Sequence, residues 1–210
     1  IDRNETMVAT LIAPGVFEMC HYLCEIQNTM MNFYEEPEAM HELIEYITEW
    51  ELKWAEQICT YMKPDVIFHC AAYTAVDKAE DEAKELDEKI NVDGTRNVAL
   101  AAKAVNAQFV YISTDYVFDG KNKNVEYEVD DQTNPLNEYG RTKLLGEKAV
   151  EEILEDYYII RTSWVFGIYG HNFVFTMQRL AETRDKLTVV NDQFGRPTWT
   201  RTLAEFMVYV

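Results

Sequence analysis

Glycine and proline are scarce, at eight and five of 210 residues. No Gly/Pro-rich tract appears, which excludes a collagen-like or low-complexity chain and predicts a globular one. No apolar run is long enough to cross a bilayer. The opening IDRNET lacks the basic region and apolar run of a secretory leader, so the cytoplasm is the expected compartment. Bases are outnumbered: 19 Lys and Arg face 37 Asp and Glu, for a formal net charge of −18. Such a surface repels phosphate backbones and argues against nucleic-acid binding, while leaving room for a local basic pocket. Cysteine is limited to Cys20, Cys24, Cys59 and Cys70, with no C-x-x-C pair. Cys20 and Cys24 would share a helix face, but buried, reduced thiols are expected over a zinc or redox site. His21 and His41 read as surface or capping residues, and no metal site is expected.

What is present divides near residue 62. Residues 1–62 carry twelve acids and two bases, and residues 63–210 carry 25 and 17. Six of eight methionines lie before the join and seven of eight glycines after it. Two segments, 1–62 and 63–210, are therefore expected. The first reads as mostly helical. MVATLIAP could be a short strand, FEMCHYLCEIQNTMMNFY has helical apolar spacing, and EEPEAMHELIEYITEWELKWAEQICTYM follows with acids and Pro37 in its first turn. Met40, Leu43, Ile44, Ile47, Trp50 and Trp54 give that helix one apolar face. The second segment alternates strands and helices. Strands are expected near 65–70, 108–113, 157–162 and 187–190. Helices are expected over 80–105 (broken near 91–94), over NEYGRTKLLGEKAVEEILED, over FVFTMQRLAETRD, and from TRTLAEFMVYV. Apolar strands alternating with helices predict a parallel sheet with helices on both faces.

Tyr139 and Lys143 stand four apart on a predicted helix, so they share a face. An ammonium beside a phenol favours the phenolate and lowers the phenol's pKa, giving a tyrosine able to exchange a proton near neutral pH. Alone the pair means little, because chance supplies about 0.6 such Tyr-x-x-x-Lys spacings in this composition. Its surroundings add weight. The strand Val110-Tyr111-Ile112-Ser113-Thr114-Asp115 ends in hydroxyls and a carboxylate, and ligands of open parallel sheets bind beyond strand carboxyl ends. Reducing a carbonyl takes a hydride donor, a proton donor and a group that orients the carbonyl. Thr114, Tyr139 and Lys143 would supply the last two. The plainer readings are a strand-end turn former and a solvated surface pair.

A strand-end Ser/Thr followed by Tyr-x-x-x-Lys on the next helix resembles the extended short-chain dehydrogenase/reductase superfamily. Within it, PDVIFHCAAYTAVDKAE, INVDGTRNVALAAK, STDYVFDG, NPLNEYGRTKLLGE, RTSWVFG, HNFVFTM and VVNDQFGRPTWT are similar, in order and spacing, to dTDP-4-dehydrorhamnose reductases. That resemblance covers 63–210 and implies a Rossmann-like α/β core. It further implies NADPH or NADH as cofactor, a dTDP-sugar as substrate, reduction of that sugar's C4 carbonyl, and room for a homodimer. Carried over by position, Thr114, Tyr139 and Lys143 would be catalytic. Ala71, Ala72 and Tyr73, with Tyr139 and Lys143, would bind the cofactor. Thr114, Asp115 and Trp164 would contact the sugar. Asn172, Arg196 and Pro197 would border the pocket.

Members of that family open with a glycine-rich turn that receives the cofactor pyrophosphate. No G-x-G-x-x-G or G-x-x-G-x-x-G occurs in this chain, so 63–210 reads as an incomplete Rossmann-like sheet. Residues 1–62 stand in that unit's place. They resemble a piece of the uroporphyrinogen decarboxylase and methylcobamide methyltransferase group, and the chain reads as a chimera. Competing expectations are a noncatalytic relative, such as the regulatory subunit of methionine adenosyltransferase, an inactive fusion product, and a corrinoid-linked methyltransferase. The retained Thr114, Tyr139 and Lys143 disfavour the first.

Overall fold

The computed structural model describes residues 16–121, 126–170 and 172–210, in two compact units, Ile1–Pro64 and Asp65–Val210. The short strand expected in MVATLIAP falls outside the described residues.

The first unit is helical: α1 (Val16–Cys24), α2 (Ile26–Glu35) and α3 (Pro37–Gln57), the last running into a π-helical turn, Ile58–Met62. The single helix expected over FEMCHYLCEIQNTMMNFY is instead two. Glu25 adopts φ 63°, a left-handed conformation that ends α1. Thr29 stabilises the break, its hydroxyl lying 2.8 Å from the Glu25 carbonyl and 3.1 Å from that of Cys20. Pro37 opens α3 in the first turn, where its missing N–H costs nothing. Cys20, Met40 and Ile47 form this unit's core, with Met19, Leu43 and Ile44 against it. Trp50 remains half exposed, its ring tilted against that of Trp54 with centroids 5.5 Å apart.

The second unit holds a parallel sheet of β1 (Val66–His69), β2 (Gln108–Thr114) and β3 (Tyr157–Thr162), in the order β1-β2-β3. The register pairs His69 with Tyr111 and Thr114 with Thr162, so the carboxyl ends of the three strands lie along one edge. Between β1 and β2 run α4 (Val76–Ala79), α5 (Lys84–Glu88), a π-helical turn (Lys89–Gly94) and α6 (Thr95–Val105). The break expected near 91–94 is that wider turn. After β2 come a 3₁₀ turn (Asp115–Val117) and α7 (Glu138–Ile153). After β3 come β4 (Val165–Phe166), α8 (Phe173–Thr183), β5 (Thr198–Trp199) and α9 (Thr200–Tyr209), with β4 and β5 forming their own parallel ladder.

Alternation along β2 sends Phe109 and Tyr111 to the face covered by α6 and α7. There they pack with Ala99, Ala102, Val150, Ile153 and Leu154. The other face is less evenly covered: Val110 is fully buried, but Phe68 and Tyr158 are half exposed. The strand expected at 187–190 does not form. Valines favour strands only against a ladder partner; among the described residues none reaches this run, and Val189 and Val190 are exposed.

Helix α7 lies close on β2 because glycine permits it. A Cβ at Gly146 would stand 2.5 Å from the Tyr111 hydroxyl and 2.7 Å from the Asn91 carbonyl oxygen. Gly146→Ala is expected to lose about 1–3 kcal/mol of stability, the usual cost of overpacking, despite alanine's better helix propensity. Urea unfolding of the variant measures this, and a variant as stable as the parent would show that α7 can shift freely.

Candidate active site

Thr114 ends β2, and its hydroxyl is the cap of the turn that follows. It accepts the Tyr116 N–H at 3.2 Å and donates to Asp115 Oδ1 at 3.3 Å. So the turn-forming role holds, and the side chain still lies at the carboxyl edge of the sheet. Asn137 starts α7, its Oδ1 accepting the Gly140 N–H at 2.7 Å, while Glu80 accepts the Glu138 N–H at 2.7 Å. This capping sets Tyr139 in the first turn of α7. Its ring meets Tyr116 edge-on, with centroids 5.9 Å apart, and its phenol lies beside the Thr114 hydroxyl. The structure therefore brings Thr114 and Tyr139 together.

Lys143 is nearly fully buried one turn later on α7. Its ammonium donates to the Ile112 carbonyl at 2.7 Å and sits 4.1 Å over the Tyr111 ring. Burial pulls its pKa down to about 8, against the opposing pull of Glu147, Cys70 and Asp87. The expectation that Lys143 lowers the Tyr139 pKa is corrected here. Burial pushes Tyr139 up to about 12, helped by the charges of Asp115, Asp87 and Tyr116 and opposed by the Thr114 hydroxyl. The physical reason is reach: the lysine stem carries the ammonium inward to β2 rather than along the helix surface. Burial also raises the Asp115 carboxyl.

Ala71, Ala72 and Tyr73 follow β1 at the same edge. Ala71 is exposed, and Ala72 and Tyr73 are half buried. Asn91 holds this segment through both polar groups of one residue: its Oδ1 accepts the Tyr73 N–H at 2.9 Å and its Nδ2 donates to the Tyr73 carbonyl at 3.2 Å. Beneath, His69 stacks on Tyr111 and lies 3.1 Å from the Thr95 hydroxyl, with burial and then Lys143 lowering its pKa to about 4. Neither His69 nor Tyr111 carries a sequence signal beyond an apolar strand.

Trp164 lies two residues past Thr162, which pairs with Thr114, and so belongs to the same edge. Its φ of 46° is left-handed, and its half-exposed indole packs on Gly195, where a Cβ would stand 2.8 Å from the ring. Ser163 Oγ donates to the Arg196 carbonyl at 2.7 Å, and the Thr198 N–H reaches the Trp164 carbonyl at 3.3 Å. Asn172 caps α8 through the Phe175 N–H and also donates to the Gly167 carbonyl. The Arg196 side chain is exposed and paired with Glu126; Pro197 is exposed. Further along the chain Asp119 accepts from the Tyr127 hydroxyl, the Lys121 N–H and Asn134. These bonds hold its carboxyl down at about 2.

Among the described residues, no group of three or more His, Cys, Asp or Glu is arranged to hold a metal. His41 is exposed and pairs with Glu45 at 3.2 Å. Cys20 is buried, Cys24 half buried and Cys70 exposed, and all three are free. Cys24 is thus less buried than expected, and Cys70 is exposed just past the end of β1.

Residues 38–210 match the family model described as the RmlD substrate binding domain, a match that begins inside α3. The chain is 49% identical over 147 residues to a dTDP-4-dehydrorhamnose reductase of Mycolicibacterium smegmatis, covering 70% of this chain and 45% of that protein. It is 51% identical over 135 residues to the Sinorhizobium fredii enzyme of the same name, covering 64% and 45%. The chain spans about half the length of the relatives it matches. A crystal structure of the Bacillus anthracis dTDP-4-dehydrorhamnose reductase in complex with NADP superposes with a TM-score of 0.70 at 44% identity, covering 74% of this chain and 54% of that one. The chain belongs to the family of RmlD substrate binding domains.

Proposed function

We propose that this chain carries the catalytic groups of an NADPH- or NADH-dependent reductase that converts dTDP-4-dehydro-6-deoxy-L-mannose to dTDP-L-rhamnose. What carries the reading is the meeting of Thr114 and the Tyr139 phenol at the carboxyl edge of the sheet, with Lys143 buried one turn away. The relatives named above supply the substrate class. The same reading brings with it a dTDP-sugar as partner, a cytoplasmic setting and a homodimer. It also treats 63–210 as the reductase core, set apart from 1–62.

The segment Ala71–Tyr73 fits the nicotinamide and ribose end of such a cofactor. Two alanines leave the strand end open, and Asn91 fixes the backbone beyond them. A bound nicotinamide cofactor supplies the hydride. Thr114 and Tyr139 orient the C4 carbonyl, and Tyr139 gives its proton to the oxygen as charge develops there. Lys143 keeps a positive charge beneath the site, and Trp164 and Asp115 border the sugar. A buried phenol stays protonated at neutral pH, which is the form a reduction requires.

The test is turnover of dTDP-4-dehydro-6-deoxy-L-mannose by the purified chain with NADPH and with NADH. Loss of reduced-nicotinamide absorbance should match dTDP-L-rhamnose formed, as read by mass spectrometry. No product with either cofactor at saturating concentrations would overturn the assignment.

A further inference from the structure

Three side chains near the proposed site are fully buried and polar: Asp87 on α5, Asn91 in the π-helical turn, and Thr142 on α7. They form one network. Asp87 Oδ1 accepts from Asn91 Nδ2 at 2.7 Å, and Asp87 Oδ2 accepts from the Thr142 hydroxyl at 2.8 Å. Asn91 Nδ2 also approaches Thr142 Oγ1 at 3.2 Å. The far side of Asn91 holds the Tyr73 backbone, and Thr142 stands between Tyr139 and Lys143 in sequence. One carboxylate thus links the segment after β1 to the turn of α7 that carries both catalytic groups.

Its chemistry makes the link directional. A carboxylate only accepts, so Asp87 forces the NH₂ end of Asn91 toward itself and the carbonyl end toward the Tyr73 N–H. Buried charge is costly and is weak evidence of a stabilising role. Among the described residues, no Lys or Arg forms an ion pair with Asp87. Burial raises its pKa most and the bond from the Thr142 hydroxyl lowers it; of the charges facing it, Glu138 and Glu88 raise it and Arg141 lowers it. A fold that needed only stability would be served there by apolar groups. The Asp87 charge in turn acts on Lys143 and Tyr139, raising both.

We propose that Asp87 is a positioning residue, which through Asn91 and Thr142 locks the Ala71–Tyr73 segment to the Tyr139–Lys143 turn and holds its negative charge against that pair. This role rests on the reductase reading for its purpose but not for its test. Asp87→Asn keeps the bonds and removes the charge: its Oδ1 accepts from Asn91, its Nδ2 donates to Thr142, and the Thr142 hydroxyl turns to the Tyr139 carbonyl, already 3.0 Å away. Asp87→Ala removes both bonds.

Lys143 is followed by NMR of ¹³Cε-labelled lysine, assigned with Lys143→Arg. Glu147 and Cys70 also act on it and are unchanged in every variant. Its midpoint, near 8 in the parent, is expected to fall by about 0.5 pH unit in Asp87→Asn. The Tyr73 amide is expected to exchange about tenfold faster in Asp87→Ala than in the parent or in Asp87→Asn, while the Tyr111 amide in β2 keeps its relative protection. In turnover, Asp87→Ala should lose about tenfold in kcat, with Asp87→Asn recovering most of it. A Lys143 midpoint unmoved in Asp87→Asn overturns the proposal, as does Tyr73 exchange unmoved in a folded Asp87→Ala. If Asp87→Ala does not fold, the Asp87→Asn midpoint decides alone. Absent turnover in the parent chain would sink the reductase reading, and the midpoint and exchange results would still decide the role of Asp87.

Discussion

Replacing Tyr139 by phenylalanine is expected to cut kcat by about 10²–10⁴, the range for loss of a general acid–base group. The substitution deletes one hydroxyl from a half-buried ring whose edge-on contact with Tyr116 remains. The Thr114 hydroxyl keeps its bonds to Asp115 and to the Tyr116 N–H, so the turn after β2 should hold. Folding and sugar binding are therefore expected to change little, and the loss should appear in kcat rather than KM. The direction of the Tyr139 pKa sharpens the prediction. A phenol held at about 12 is a weak acid toward water. Hydride addition to a carbonyl creates an alkoxide, which is more basic than a phenolate, so transfer from Tyr139 runs downhill. The reverse oxidation needs phenolate and should be slow until the pH is well above neutral. Steady-state kinetics of parent and variant in both directions test this; undiminished kcat in Tyr139→Phe would remove Tyr139 from the mechanism.

The legible parts of this site are those that sequence neighbours determine. VIFH, QFVYIST and YYIIRT announce strands because each is built around an apolar run, and all three form in register. Asn137 two residues before Tyr139 announces the start of α7, and the helix begins there. The run Leu187–Val190 carries the same propensity yet forms no strand, because pairing is a property of what lies opposite. The direction taken by a long side chain is equally non-local. Spacing places Lys143 beside Tyr139, but the Ile112 carbonyl, 31 residues away in the chain, receives its ammonium. The Asp87 network is the extreme case. Asp87 and Thr142 are 55 residues apart, and each looks like the solvated face of a helix until tertiary packing buries it. Glu25 and Trp164 are a third kind of loss: left-handed conformations at non-glycine residues, fixed by contacts rather than by residue type.

Lys143→Met should separate function from stability in the opposite sense to most core substitutions. At neutral pH the fold holds an ammonium that burial disfavours, with one hydrogen bond, the Tyr111 ring and the pull of Glu147, Cys70 and Asp87 as partial compensation. Its pKa stands at about 8, against an ordinary 10.5. Below pH 8 the ammonium is present in both folded and unfolded chains, and the full cost of burying it applies. Between about 8 and 10.5 the unfolded chain keeps the proton and the folded chain releases it. The unfolded state then binds more protons, so parent stability rises with pH across that window, by roughly 3 kcal/mol in all. Methionine fills similar volume without charge. It loses the bond to the Ile112 carbonyl and the ring contact, together worth about 1–2 kcal/mol. Lys143→Met is therefore expected to be about 1–2 kcal/mol more stable than the parent at pH 7. That advantage should vanish or reverse by pH 10. Turnover should fall at least about 10²-fold, because the positive charge beneath the site is gone. Urea unfolding at pH 7 and pH 10, with kcat measured alongside, checks both halves. A variant less stable than the parent at pH 7 would mean that the Ile112 bond and the Tyr111 ring more than offset the burial of Lys143. Undiminished turnover would mean that its charge serves the fold alone.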